Sequence, residues 1–190
     1  MRNTRRYATP QEPAVHITAK VDYAVRTLLE IARLTPAEIT PATAGCVADP
    51  GVRPDAGVAA PAKVKAETIA AAQQIPPKVL ETVLSDLRRA ELVTSRRGPD
   101  GGYRLARPAA QISVADVIRA IEGPLASVRG QRPEDVRYEG MAEPLQRVWI
   151  ALRVNIRAVL ENVSIEQIAA DRLPEFVDAL TADPGAWARR

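Results

Sequence analysis

Between Val21 and Ala32 the apolar residues Val21, Ala24, Val25, Leu28, Ile31 and Ala32 recur at steps of three and four. That spacing gathers them on one face of an α-helix. Thr18 stands where an N-cap would accept an unpaired N–H of the first turn, so a helix is expected from Ile17 to Leu34. The pattern then stops. Residues 35–62 hold five prolines and three glycines with little periodicity, a composition that buries too little apolar surface to offset its ordering entropy. A disordered insertion is expected over 35–63.

Periodicity resumes at Val64. AETIAAAQQ reads as a short helix with Ile69 and Ala70 inward, and Gln73-Gln74-Ile75 as a tight break. Pro76 and Pro77 open a second helix, since the first helical turn tolerates proline. Within PPKVLETVLSDLRRAEL, Val79, Leu80, Val83, Leu84 and Leu87 form one apolar stripe. Lys78, Glu81, Thr82 and Ser85 lie on the opposite face. Two short helices with so short a break match a helix-turn-helix. LVTSR and YRLAR then read as two strands around RGPDGG, a β-hairpin, and a helix-turn-helix followed by a hairpin is a winged helix.

A further helix is expected from Ser113, with Asp116 three residues on completing a capping box, Ile112 stapling onto Val117, and Gly123 ending it. Residues 124–143 are irregular. From near Pro144 a long helix carries Leu145, Trp149, Leu152, Ile156, Val159 and Val163 at alternating steps of four and three, the seam of a helix that pairs with another. Ser164-x-x-Gln167 caps one more short helix, and Leu173 to Leu180 suggests a last one. The expected architecture is mainly α with a small β-hairpin: a flexible arm (1–16), a winged helix-turn-helix domain (17–123), an irregular connector (124–143) and a dimerisation helix with its tail (144–190).

Composition narrows the chemistry. The chain of 190 residues is 46% hydrophobic but only 4% aromatic, and it holds one cysteine, Cys46, and one histidine, His16. A disulfide framework and a zinc site rich in Cys and His are both excluded within one chain. No nucleophile–base pair or phosphate loop can be assembled; the chain is not expected to be an enzyme, and no catalytic residue, metal site or cofactor is assigned. No apolar run approaches a membrane span of about 18 residues, and the arginine-bearing N-terminus lacks the apolar segment of a secretory signal. A cytoplasmic protein with no membrane partner is expected.

Net charge is only +3, which by itself indicates no polyanionic partner. Its distribution does. From Lys78 to Arg107 there are seven basic and four acidic residues, so this stretch alone carries the net charge of the whole chain. In a winged helix the second helix of the turn enters the major groove. Lys78, Glu81, Thr82 and Ser85 are the candidate base readers, since Lys can donate to guanine, Glu accept from cytosine and Thr meet a thymine methyl. Arg88 and Arg89 are placed to hold the phosphate backbone. Arg96, Arg97, Gly98, Gly101, Gly102 and Tyr103 make up the wing, where arginine suits a narrow minor groove and glycine permits close backbone approach. The candidate partner is double-stranded DNA. The alternative is a winged helix that contacts an acidic protein and has no operator.

KVDYAVRTLLEIA, ETIAAAQQIPPKVLETVLSDLRRAELVTSRRGPDGGYRLARPAAQISVADVIRAIEG and ENVSIEQIA together resemble the IscR/NsrR/CymR family of bacterial transcription regulators. The most specific element is the RGPDGGY wing after an ELV strand. The resemblance implies a homodimer paired through the long helix, a pseudo-palindromic operator and, usually, repression. It also implies that Lys78, Glu81 and Thr82 read the major groove and Arg97 the minor groove. Many members hold an iron–sulfur cluster on three cysteines before the long helix. Here that segment has none, Gln146 stands where some members place a histidine ligand, and Asp22 and Arg26 stand where others ligate from the first helix. The implied regulator therefore lacks a cluster, and the alternatives for residues 124–143 are a small-molecule effector, a partner protein or no effector at all. Cys46 is read as an inert linker thiol or an oxidant sensor, His16 as an exposed histidine or a titrating switch, and Arg2, Arg5 and Arg6 as a soluble tail or a phosphate-tracking arm.

Overall fold

The computed structural model describes residues 17–35, 63–98 and 101–188. The arm, His16, Cys46, the body of the insertion (36–62) and the Pro99-Asp100 tip of the hairpin lie outside them. Seven α-helices and one antiparallel hairpin are ordered α1 (Ala19–Leu34), α2 (Ala66–Gln73), α3 (Pro77–Arg89), β1 (Val93–Arg96), β2 (Gly102–Leu105), α4 (Val114–Glu122), α5 (Leu145–Leu160), α6 (Ile165–Ala169) and α7 (Glu175–Thr181). The capping residues act as their positions suggest. Thr18 Oγ1 accepts from the Val21 N–H, Ser113 and Asp116 form a capping box on α4, and Ser164 and Gln167 form another on α6. Thr35 closes α1 with backbone and side-chain donations to the Ile31 carbonyl.

The core gathers on α1. Its buried residues Ala24, Leu28 and Ile31 meet Ile69 of α2, Leu80, Val83, Leu84 and Leu87 of α3, Val117 of α4 and Ile165 of α6. The hairpin pairs Val93 with Leu105 and Arg96 with Gly102; Val93 is buried in the core, and Tyr103 and Leu105 pack against it.

Three sequence expectations change. The long helix stops at Leu160, so it spans about 24 Å at 1.5 Å per residue. Val163 falls beyond it and is buried, its carbonyl accepting from the Val114 N–H, which removes it from the dimerisation seam. α6 also packs on α1 with the helices of residues 17–123: Ile165 is fully buried and its N–H donates to the Ile112 carbonyl. This packed unit is therefore discontinuous in sequence, because the α1 surface needs a cover that residues 17–123 do not supply.

Glu30 is buried at 3% exposure among these apolar groups. Arg33 Nη2 donates to its Oε1 at 2.5 Å and Gln73 Nε2 to its Oε2 at 2.9 Å. The Arg33 hydrogen bond leads the causes that hold its carboxyl below the usual glutamate range, against the opposing cost of burial. A lowered folded pKa stabilises the fold near neutral pH, and that contribution disappears as acid protonates the folded carboxylate. In urea titrations at about pH 7 and about pH 3, spanning the ordinary glutamate pKa, the wild type is expected to lose more stability on acidification than Glu30→Gln. Equal losses would mean that the fold does not lower the pKa of Glu30.

Candidate nucleic-acid interface

The turn between α2 and α3 is clamped from beneath. Arg26 on α1 donates from Nε to Gln73 Oε1 at 3.2 Å and from Nη2 to the Gln73 carbonyl, while Glu30 holds the Gln73 amide. Gln74 adopts φ +52° and Ile75 turns inward at 2% exposure. Arg26 thus has a structural task, and it also pairs with Asp22 at 3.3 Å. This clamp joins buried Glu30 to half-buried Gln73 and Arg26, a set that periodicity alone could not reveal, because Glu30 sits on the apolar face of α1 against the rule that charged residues stay outside.

With the turn fixed, α3 buries Leu80, Val83, Leu84 and Leu87 and turns Lys78, Glu81 and Thr82 outward, all exposed. Ser85 is half-buried, at the edge of this face. Thr82 Oγ1 donates to the Lys78 carbonyl at 3.2 Å, which directs its proton into the helix and leaves its lone pairs to accept and its methyl to make apolar contact. Lys78 and Glu81 form no ion pair with another described residue. Their charges are available to a ligand. At the other end of α3, Asp86 takes Lys20 of α1 at 2.6 Å and Arg89 at 2.9 Å. The Lys20 hydrogen bond is the first cause of its lowered pKa. Arg88 is exposed beside this pair.

The wing carries Arg96 and Arg97, both exposed. Its glycines differ in purpose. Gly98 has φ +110° and open space around its missing Cβ, as close approach to a ligand would require. A Cβ on Gly101 would stand 2.4 Å from the Arg96 carbonyl oxygen, and one on Gly102 2.9 Å from the Val64 carbonyl oxygen. Those two glycines are needed by the hairpin itself. Tyr103 exchanges backbone hydrogen bonds with Val64 at 2.8 and 2.9 Å and packs, half-buried, against the core, so it anchors the wing base. Arg104 is exposed on β2, with Nε donating to Thr94 Oγ1 at 3.0 Å; strand alternation could have added it to the candidate cations.

The connector is ordered. Gln146 Nε2 donates to the carbonyls of Pro133, Glu134 and Val136 at 3.3, 3.0 and 2.7 Å, stitching the connector to α5. Val136 is buried at 1% exposure. α5 itself buries no residue, and Val148, Leu152 and Val154 are 54%, 41% and 55% exposed.

Residues 58–171 match the profile of a family described as "Rrf2: Iron-dependent Transcriptional regulator". A Mycobacterium tuberculosis (strain H37Rv) protein that bears the provisional name of an HTH-type transcriptional regulator, Rv1287, is 41% identical over 169 residues, 89% of this chain and 90% of its own. The transcriptional regulator CymR of Bacillus subtilis is 34% identical over 105 residues, 55% of this chain and 70% of its own. Among solved structures, CymR, titled the global cysteine regulator of B. subtilis, superposes with a TM-score of 0.58 at 26% identity, covering 82% of this chain and 96% of that one. The T. potens IscR structure superposes at 0.57 and 22% identity over 91% and 96%, a likeness of fold.

Among the described residues the iron named in the family description finds no fitting donor set. Among the described residues no three His, Cys, Asp or Glu side chains converge. The connector contains no Cys or His, and the amide of Gln146 is occupied by three backbone carbonyls.

Proposed function

We propose that this chain, which belongs to the Rrf2 family of transcriptional regulators, binds a pseudo-palindromic operator as a homodimer paired through α5 and represses from it. That the protein is a DNA-binding regulator follows from its family; the dimer, the operator and the residues in contact are our reading. The observation that carries it is the unpaired outward face of α3 beside an arginine-bearing wing. Lys78, Glu81, Thr82 and the edge residue Ser85 read base edges, Arg88 and Arg89 contact phosphates, and Arg96 and Arg97 reach the adjoining groove beside Gly98. Val148, Leu152 and Val154 are exposed on α5 and support pairing, since an exposed apolar patch is of the kind that marks association, while Leu145, Trp149, Ile156 and Val159 of the expected seam are half-buried. Residues 124–143 serve as the sensor segment, answering a small-molecule or protein effector.

The test is selection of fragmented genomic DNA by the purified protein at about 150 mM salt, near physiological ionic strength. A shared inverted repeat among the retained fragments is expected. Uniform retention would overturn the operator, and absence of retention would favour an acidic protein partner for the wing. On the selected operator, Arg97→Ala is expected to weaken binding by about 1–3 kcal/mol. Wild-type affinity in that variant would remove the minor-groove assignment.

A further inference from the structure

A cavity of about 460 Å³ opens between the start of α1, the end of α4, the connector and α5. Its walls are mainly apolar, with Ile118, Leu125, Val128, Trp149, Leu152 and Ile156 among them. The volume falls within the range of about 300–1,000 Å³ in which proteins hold small ligands. Three polar residues also line it: Glu122, Ser127 and Arg129.

The polar residues are not equivalent. Glu122 already accepts the hydroxyl of Thr18. Arg129 makes no ion pair with another described residue, and its guanidinium stands over the Tyr138 ring, 5.7 Å from the centroid. Tyr138 in turn accepts the indole N–H of Trp149 at 3.0 Å. One tyrosine thus positions both the aromatic wall and the cation, and a preorganised donor loses less freedom when it binds. Behind Pro124, Leu125 and Ala126, which both cavities share, a second cleft is lined by Arg119, Arg132, Arg153 and Arg157 with Glu134. Together the two cavities present five arginines and two glutamates. Arg119 and Arg157 are paired with Glu161 and Arg153 with Glu134, so Arg129 and Arg132 are the two of the five without an ion pair to another described residue, and they favour an anion over a cation.

We propose that this cavity binds a small monocarboxylic acid with an apolar body, the carboxylate on Arg129 with Ser127 beside it and the hydrocarbon against Trp149, Leu125 and Ile156. The proposal rests on the reading of residues 124–143 as a sensor segment and names what that segment senses. The route to the DNA-binding face is short. Ile17 and Thr18 lead into α1, which is ion-paired to α3 through Lys20 and Asp86, and α4 packs directly on α3. Acid binding and operator binding are therefore linked, and each changes the affinity for the other by the same factor.

The experiment uses the full chain with Trp187→Phe, which leaves Trp149 as the only one of its two tryptophans. Its fluorescence is titrated with butyrate, hexanoate, octanoate and 3-phenylpropionate, and with hexylamine and 1-hexanol as charge controls. Light scattering on the same samples gives the oligomeric state. The carboxylates are expected to saturate, with affinity rising about fourfold per methylene. Arg129→Gln should weaken octanoate binding at least about tenfold, and Ala126→Phe, which narrows the cavity, should abolish it. Equal binding of hexanol or hexylamine, or an unchanged Arg129→Gln, would overturn the ligand class. No saturable response from folded protein would overturn the site; in a dimer, it would indicate that the partner's α5 fills the cavity. Genomic selection on the same protein separates the two readings. Acid binding without operator selection removes the repressor and keeps the pocket, whereas operator selection without acid binding does the reverse.

Discussion

Raising salt from about 50 to about 200 mM is expected to lower affinity for the operator by about 10³–10⁵. Each protomer offers Lys65, Lys78, Arg88, Arg96 and Arg97 as exposed cations without an ion pair to another described residue. If three to five of these meet phosphates in each half of a dimer, about six to ten contacts form, and each contributes about 0.9 to the slope of log affinity against log salt. A monomer using one set would show half that slope. The measurement is a fluorescence-anisotropy titration of the selected operator at four salt concentrations, with a scrambled duplex beside it. A fall of less than about tenfold would mean that most of these cations miss the backbone, and the docking of α3 and wing would have to be redrawn. Replacing Arg88 alone should reduce the slope by about one contact and weaken both duplexes alike, as a phosphate contact should.

Leu84→Ala is expected to cost about 2–5 kcal/mol of folding stability. Leu84 is 1% exposed, on the face of α3 opposite its outward residues, and it belongs to the cluster that joins α1, α2 and α3. Truncation removes buried methyl groups and leaves a cavity that surrounding helices cannot close without shifting. Two positions earlier, Thr82 is exposed, and Thr82→Ala should change stability by no more than about 0.5 kcal/mol. Urea unfolding of both variants at equal protein concentration decides the matter, because a dimer's apparent stability depends on concentration. The pair also separates two ways of losing DNA binding. Thr82→Ala should remove the proposed base contact from an intact helix, whereas Leu84→Ala should loosen the helix that carries all the proposed readers. A Leu84→Ala protein as stable as wild type would mean that α3 is not anchored where the structure places it.

The sequence alone determined the elements whose causes are local. The caps at Thr18, Ser113 and Ser164, the proline entry at Pro77, the end of α4 at Gly123 and the hairpin of β1 and β2 each depend on residues within a few positions of one another. The inward stripe of α3 was legible for the same reason, since a helix repeats every 3.6 residues, and the outward face with Lys78, Glu81 and Thr82 followed from it. The tertiary structure decided what depends on contact between distant segments. Glu30 was unreadable because its partner Gln73 is 43 residues away. The burial of Val163 and Ile165 was hidden because a heptad pattern records spacing and not which chain fills the seam. Gly101 and Gly102 looked like freedom for a ligand, yet neighbouring carbonyls occupy the space their side chains would need. The anchoring of Tyr103 at the wing base was hidden because its backbone partner Val64 lies beyond α2 and α3 in the chain. Local propensity sets which helices and strands form, and packing of remote surfaces sets which of their residues remain free to act.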